Sequence, residues 1–211
     1  LERYNSGVNV NGSLQLANFW HGHAGVNYNH GGLSNGLLRG GPAMVRESRW
    51  NGWGGLGTAG RKPVRLNVGF HWSVSPESDS WSTNVSPSLS WRPSGRASLS
   101  VGTFVRRNVD DQQWVGRLAA SEGGDPRYLF GRIDQRTVGL TGRFDYAFTP
   151  ELSFQLYAQP FVSAAEYGAF KQVVDPRADR YRDRLAPVAA TLEDGAWRAD
   201  LDGDGADESW S

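Results

Sequence analysis

The most specific candidate for chemistry in this 211-residue sequence is an acidic segment near its end. Residues 200–205 read DLDGDG, which places Asp200, Asp202 and Asp204 at the first, third and fifth positions, with a glycine following. Calcium loops use oxygen ligands at these positions and a glycine for the sharp bend. The twelfth position, where a bidentate glutamate is expected, is Ser211, and a solvated acidic loop is the alternative interpretation. The segment therefore predicts calcium as the one candidate cofactor.

His21 and His23 form a second candidate ligand pair. Their spacing of two residues puts both imidazoles on one face of a strand, as a zinc site would require. The sequence supplies no third ligand. Hydrogen-bonded histidines on a polar strand face are therefore the simpler interpretation.

The sequence contains no assignable catalytic set. Residues 52–57 match the glycine spacing of a dinucleotide-binding loop, but a strand follows where that loop requires a helix. No Ser/His/Asp set can be assigned. We predict no catalytic residue in this chain, and an enzymatic role for its long loops stays an open alternative.

Charged and amide side chains recur on one face of the predicted strands. If that face lines a lumen, they would select polar or charged solutes; alternatively, they pair with one another and stiffen the sheet. The predicted lumen-facing residues are Arg65, His71, Arg92, Arg132, Arg143, Asp145, Gln155 and Gln159.

The elements that would position these side chains are strands, and residues 127–164 contain the clearest ones. Apolar residues fall on even positions from Val138 to Phe148 and again from Leu152, with mostly polar residues between them. A period of two gives one apolar and one polar face, and Thr149-Pro150-Glu151 suits the turn of an antiparallel hairpin. The predicted lipid-facing residues are Val138, Leu140, Phe144, Tyr146, Phe148, Leu152, Phe154 and Leu156.

Other segments repeat the pattern. Asn11-Gly12-Ser13, between alternating apolar residues, predicts a hairpin turn, and a weaker strand is expected over residues 44–56. Strong alternation runs through residues 64–74. Short predicted connections (11–13, 60–63, 93–95, 149–151) alternate with longer ones (29–42, 75–80, 106–127, and 164 onward).

The apolar faces fit two architectures, a soluble sandwich or a transmembrane barrel. Soluble strands run about 5–6 residues and bilayer-spanning strands roughly 9–11, and the alternation from Val138 to Phe148 covers the longer span. Short turns at one rim and long loops at the other also favour an outer-membrane barrel. We predict an all-β, antiparallel transmembrane β-barrel, represented in part by about eight strands. Residues 1–165 would form the strands, and residues 166–211 a polar, acidic extramembrane region leading to further strands.

Composition excludes several classes of protein. The 22 basic and 22 acidic residues give a formal net charge of zero, so the chain lacks the electrostatic signature of a nucleic-acid binder. The absence of cysteine excludes disulfides and thiolate metal sites. No run approaches the ~18 apolar residues of a transmembrane helix. The start at Leu1 and the end inside an acidic stretch are interpreted as those of a fragment of a longer protein.

Four segments resemble, in the same order, a family of large bacterial proteins. They are LLRGGP (37–42), DDQ (110–112), the stretch from Tyr128 to Phe170, and the acidic run after Asp200. That family combines an N-terminal domain similar to carbohydrate-binding family 9 with a C-terminal outer-membrane barrel of unassigned function. The resemblance covers only the barrel region. It implies an outer-membrane location and assigns sugar binding to no residue of this chain.

The sequence thus predicts an outer-membrane barrel module with the lipid bilayer as its partner and no nucleic acid. It would anchor, and act as a conduit for, an attached glycan-binding or surface-processing domain outside this chain. One alternative is a soluble secreted β-sandwich that binds carbohydrate by stacking on exposed tryptophans. Another is a part of a surface glycan hydrolase. The candidate stacking residues are Trp50, Trp53, Trp81 and Trp114.

Overall fold

The computed structural model describes residues 6–119, 125–201, 203, 205 and 207–210. The structure is all-β, with 68% of residues in strands, and every strand pair is antiparallel. The predicted all-β, antiparallel class is therefore confirmed. The described elements are β1 (Ser6–Gln15), β2 (His21–His30), β3 (Leu33–Ser34), β4 (Met44–Val45), β5 (Arg49–Gly57), β6 (Val64–Val74), β7 (Trp81–Ser94), β8 (Ala97–Leu118), β9 (Arg127–Ala147), β10 (Ser153–Ala158), β11 (Phe161–Val173), α1 (Tyr181–Arg184), β12 (Leu185–Pro187), β13 (Thr191–Glu193), β14 (Ala196–Ala199) and β15 (Glu208–Trp210).

A ten-stranded sheet contains most of the chain. Its strands follow the order β1-β2-β5-β6-β7-β8-β9-β11-β12, and β10 also pairs with β9. β10 pairs with residues 142–147 of β9 and β11 with residues 129–139, so these two strands follow one another along the same edge. β1 is an edge strand, and the described strands do not close into a barrel.

Because strands adjacent in sequence are mostly adjacent in the sheet, their connections alternate between two rims. The short-turn rim carries residues 16–20, 58–63, 95–96 and 148–152, and the long-loop rim carries residues 31–48 and 75–80 and the paired ends of β8 and β9 at Leu118 and Arg127. The predicted contrast in length is only partial, since 75–80 is no longer than 58–63. The difference in length between the two rims comes mainly from residues 31–48, which include β3 and β4, and from the ends of β8 and β9. Those two strands pair beyond Val109, where β7 stops pairing with β8, as far as Leu118 and Arg127.

The hairpin predicted at Asn11-Gly12-Ser13 is wrong. These residues lie inside β1, where Gly12 pairs with Ala24 of β2. The turn lies at residues 16–20, where the Leu16 N–H donates to the Trp20 carbonyl at 2.8 Å. The alternation of β1 continues in phase across Asn11-Gly12, so a ten-residue ladder with β2 outweighs the local turn preference.

The predicted turn at Thr149-Pro150-Glu151 is confirmed, because the Phe148 N–H donates to the Leu152 carbonyl at 2.9 Å. Two other predicted boundaries differ from the structure. The strand after it is interrupted at Gln159-Pro160 and then continues as β11 to Val173, so the proposed boundary at residue 165 falls inside a strand. Residues 44–56 divide into β4 and β5.

The register aligns apolar residues with apolar residues across the sheet. Phe70 pairs with Val85, Val85 with Val105, and Val105 with Val138. This "apolar face" includes Val8, Val10, Leu14, Val26, Tyr28, Trp50, Leu56, Leu66, Val68, Phe70, Val85, Leu89, Trp91, Val101, Val105, Val138, Leu140, Phe144, Tyr146, Phe154 and Leu156.

The adjacent row of partners is polar. His71 pairs with Asn84, Asn84 with Arg106, and Arg106 with Thr137. This "polar face" carries mainly asparagine, serine, threonine, histidine and arginine side chains along the whole sheet.

Solvent exposure is inverted relative to the strands of a soluble protein. In β6, Leu66, Val68 and Phe70 are exposed, whereas Arg65 and Asn67, which alternate with them, are half-buried. In β7, Val85 and Leu89 are exposed and the serines between them are half-buried. A half-buried sheet in a soluble protein packs its apolar face inside. In β6 and β7 most of the polar side chains are instead the more enclosed ones.

The hydrophobic core lies away from the wide part of the sheet, at the long-loop rim. One cluster packs Leu129 with Phe170, Leu201 and Trp210. A second packs Phe130 with Leu38, Met44 and Leu185. Because Leu129 and Phe130 are consecutive in β9, the projecting end of β9 is covered on both sides. We call this assembly of the projecting ends of β8 and β9, residues 31–48 and the described residues after 173 the cap.

Candidate functional site

The eight predicted lipid-facing residues all lie along the apolar face or at its turn. Six are exposed: Val138 by 52%, Leu140 by 49%, and Phe148, Leu152, Phe154 and Leu156 by similar fractions. Phe144 and Tyr146 are half-buried because they pack against neighbouring aromatic rings, with Tyr146 and Phe148 centroids 4.8 Å apart. No described part of the chain covers this face, whose lipid contact stays a prediction.

Glycines on the polar face allow large rings to lie flat against the backbone. Trp53 of β5 covers Gly25 of β2, and Phe104 of β8 covers Gly139 of β9 so closely that a Cβ at either glycine would overlap the ring. His23 covers Gly55 in the same way. The face therefore presents flat aromatic surfaces among its hydrogen-bonding groups.

The structure divides the predicted lumen-facing set. Arg65, His71, Arg143, Asp145 and Gln155 lie on the polar face.

Arg92 and Gln159 lie at the margins of the sheet. Arg92 follows Trp91 at the end of β7, beside a register shift, and lines a 410 Å³ cavity with Asp145 and Gln155. Gln159 lies between β10 and β11, where its Oε1 accepts a hydrogen bond from the Tyr157 hydroxyl at 2.7 Å.

Arg132 lies on the other face. It is six residues before Val138 in an unbroken ladder with β11, so both side chains point to the same side. The prediction placed Arg132 by its polarity alone. The structure instead puts Arg132 near the cap, 3.5 Å from Asp79 and 3.9 Å from Asp111.

The cap contains a buried polar network that sequence patterns did not reveal. Asp111 pairs with Lys171, and its Oδ2 accepts a hydrogen bond from the Tyr181 hydroxyl at 3.0 Å. Burial, and next the negative charge of Asp111, raise the pKa of Tyr181 far above its ordinary value. The network therefore holds Tyr181 neutral and joins β8, β11 and α1.

Arg184 ties together three segments of the long-loop rim. Its side chain is almost fully buried and donates to the carbonyls of Ala178, Asp179 and Val45. It also lies 3.4 Å from Glu77. A buried guanidinium with several acceptors fixes the loops that supply them. No periodic signal marks Arg184 in the sequence, because its partners come from separate loops.

The four tryptophans considered for sugar stacking do not share a surface. Trp50 packs on Tyr28 on the apolar face, with ring centroids 4.7 Å apart, and Trp53 lies on the polar face. Trp81 lies beneath the Arg107 guanidinium, 5.1 Å from ring centroid to Cζ. Trp114 lines a 230 Å³ aromatic cavity in the cap.

Of the three candidate calcium ligands, the structure describes Asp200. Asp202 and Asp204 lie outside the described residues. The two carboxylate oxygens of Asp200 accept hydrogen bonds from the N–H groups of Gly203 and Gly205 at 2.6 and 3.0 Å. Within the described ranges, no three potential metal ligands come together. Calcium binding at this loop stays a prediction.

Among the described residues, no helix has the length and apolar character needed to cross a bilayer. The sequence matches no protein-family model, and neither a curated protein nor a solved structure matches it.

Proposed function

We propose that this chain forms part of the wall of a transmembrane β-barrel in a bacterial outer membrane. The observation that supports the proposal is the apolar face, which extends across the sheet and has no covering layer among the described residues. Burial is worth about 1.5–3 kcal/mol for each Val, Leu or Phe side chain. Covering this face with hydrocarbon would therefore contribute much of the stability that a soluble protein obtains from its core.

The dimensions of the strands support the same proposal. Residues 138–147 of β9 extend over about 34 Å at ~3.4 Å per residue. A tilt of about 45° reduces the height of this segment to about 24 Å, close to the ~25 Å apolar band of outer-membrane barrels. The cap lies beyond this segment, on the side where barrels carry their long extracellular loops.

In this proposal the polar face lines the lumen. In β6 and β7 most of its side chains are more enclosed than those of the apolar face, as expected for the concave side of a curved wall. Closure would require strands beyond those described, because β1 has an unpaired edge. From the family resemblance we further propose that the barrel anchors, and acts as a conduit for, an attached glycan-binding or surface-processing domain.

Paired substitutions in β9 test which face meets lipid. Leu140→Arg should greatly reduce refolding into detergent micelles or vesicles, because an arginine at mid-membrane on the lipid face costs about 2–4 kcal/mol. Thr141→Arg, the adjacent residue on the polar face, is the matched control and should refold nearly as well as the wild type. Refolding is measured by the recovery of β-sheet circular dichroism and of protease resistance.

Equal refolding of the two variants would contradict the barrel proposal. A soluble, monomeric wild-type chain in buffer without detergent would also contradict it, because the apolar face would then have to be covered by protein. That result would favour the sandwich alternative.

A further inference from the structure

Two arginines on the apolar-face side of the sheet, Arg107 and Arg132, have acidic neighbours. On the apolar-face side, towards the cap, the Arg107 Nη2 donates to Asp134 at 2.7 Å, and Arg132 lies 3.5 Å from Asp79. On the polar face, between the short-turn rim and the level of Arg106, no described carboxylate lies within 4.0 Å of the guanidinium nitrogens of any arginine. These arginines are Arg65, Arg106 and Arg143, together with Arg92 at the margin of the sheet, which borders the same cavity as Asp145.

The polar face has little negative charge to balance them. Between the short-turn rim and the level of Arg106, Asp145 is the acidic residue on the described part of this face, and its Oδ2 accepts a hydrogen bond from the Ser98 hydroxyl at 3.0 Å. Four arginines against one aspartate leave a formal excess of three positive charges. Most remaining positions carry uncharged amides and hydroxyls. The charge of the face is therefore concentrated in guanidinium groups.

Two of these arginines line concave sites. Arg106 borders a 350 Å³ cavity together with His71, Asn84 and Phe104. Arg92 borders the 410 Å³ cavity near the short-turn rim. Guanidinium groups beside amide and hydroxyl donors provide the hydrogen-bond geometry that carboxylate and phosphate oxygens accept.

We infer that the polar face selects anionic solutes that carry carboxylate or phosphate groups. This inference rests on the proposed function, in which the polar face lines the lumen. Rings of arginine or lysine give pores a preference for anions, and a low-dielectric wall focuses the field of such charges into the water-filled space. The paired arginines near the cap are neutralised locally and do not contribute in this way.

The absence of cysteine allows the local charge to be measured with single thiols. Asn84→Cys places a thiol on the polar face opposite Arg106, and Val85→Cys places one on the apolar face of the same strand. Each variant is reconstituted in lipid vesicles. It is then treated with methanethiosulfonate reagents of similar size carrying either a sulfonate or a trimethylammonium group. Rates are normalised to those of 2-mercaptoethanol with the same reagents.

We expect the Asn84→Cys thiol to react faster with the anionic reagent than with the cationic one after normalisation. Adding Arg106→Gln should reduce the ratio of the two rates by about tenfold, because removing one charge a few ångströms away changes each rate about threefold and in opposite directions for the two reagents. Arg136→Gln is the matched control, because it removes one arginine from β9 on the opposite face. It should leave the ratio unchanged.

The outcomes separate the inference from the proposed function. Comparable reactivity at positions 84 and 85 in vesicles would overturn the assignment of the two faces. Protection of Val85→Cys, together with no anionic preference at Asn84→Cys, would overturn the anion inference alone. Ser88→Cys, on the same face as Asn84, replaces Asn84→Cys if that variant fails to refold.

Discussion

At the scale of single residues, Tyr181 is the group whose ionisation the cap controls. Its hydroxyl donates to the Asp111 carboxylate, and the buried, negatively charged surroundings raise its pKa. In the unfolded chain the phenol ionises near its ordinary pKa of about 10, whereas in the folded cap it stays protonated. This contribution to stability is therefore complete below about pH 10 and is lost as the pH rises further.

Replacing Tyr181 by phenylalanine should remove this part of the alkaline sensitivity. Between about pH 9 and 11, the urea midpoint of cap unfolding should fall more steeply for the wild type than for Tyr181→Phe. Tryptophan fluorescence can follow the transition, since Trp114, Trp197 and Trp210 lie in the cap. Tyr157→Phe, on exposed β10, is the control. Parallel slopes for the wild type and Tyr181→Phe would show that the network does not hold the phenol neutral.

At the scale of elements, the contact between β8 and β9 depends on a glycine. Phe104 of β8 lies against Gly139 of β9, and the Thr103 hydroxyl donates to the Gly139 carbonyl at 2.8 Å. A methyl group at position 139 would overlap the Phe104 ring and force it away from the strand. The close packing of this hairpin therefore requires the absence of a side chain at this position.

Gly139→Ala should destabilise the refolded protein by about 1–3 kcal/mol, as overpacking commonly does. Gly142→Ala is the matched control, because it lies three residues later in β9 with open space around its Cβ position. The control should be neutral or slightly stabilising, since alanine restricts the unfolded chain. Urea unfolding in detergent measures both variants. Equal stabilities would contradict the proposed role of the Phe104 contact.

At the scale of the whole molecule, the buried core and the broad apolar face lie in different places. The cap has the two clusters of buried residues, while the wide part of the sheet exposes its apolar side chains. A water-soluble domain would bury such an apolar face in its core, because a large apolar patch left exposed marks a surface that contacts another molecule or a membrane. In the proposed barrel, lipid covers one region and protein the other.

Lipid contact can be measured with tryptophans on opposite faces. Trp91 is 45% exposed on the apolar face, and Trp53 lies over Gly25 on the polar face. In vesicles containing brominated lipids, Trp91→Phe should reduce the quenched fraction of the fluorescence, because it removes an emitter in contact with the acyl chains. Trp53→Phe should not reduce it. A larger loss with Trp53→Phe would reverse the proposed orientation of the sheet.

The sequence by itself determined the strand class and the two faces of each long strand, because alternation is a local property with a period of two. The same rule places Arg132 on the same face as Val138, because the two residues are separated by an even number of positions in one strand. Local signals failed at Asn11-Gly12, where pairing with β2 overrode the turn preference.

Only the tertiary structure decided the register between strands, the cap and its polar network. Asp111 meets Tyr181 seventy residues later, and Arg184 meets Val45 and Glu77, through contacts that leave no periodic trace. It also revealed that the polar-face arginines have no acidic partner among the described residues, whereas Arg107 and Arg132 have acidic partners. The physical reason is that alternation specifies the side to which a residue points, whereas its neighbour on that side depends on how distant strands and loops pack.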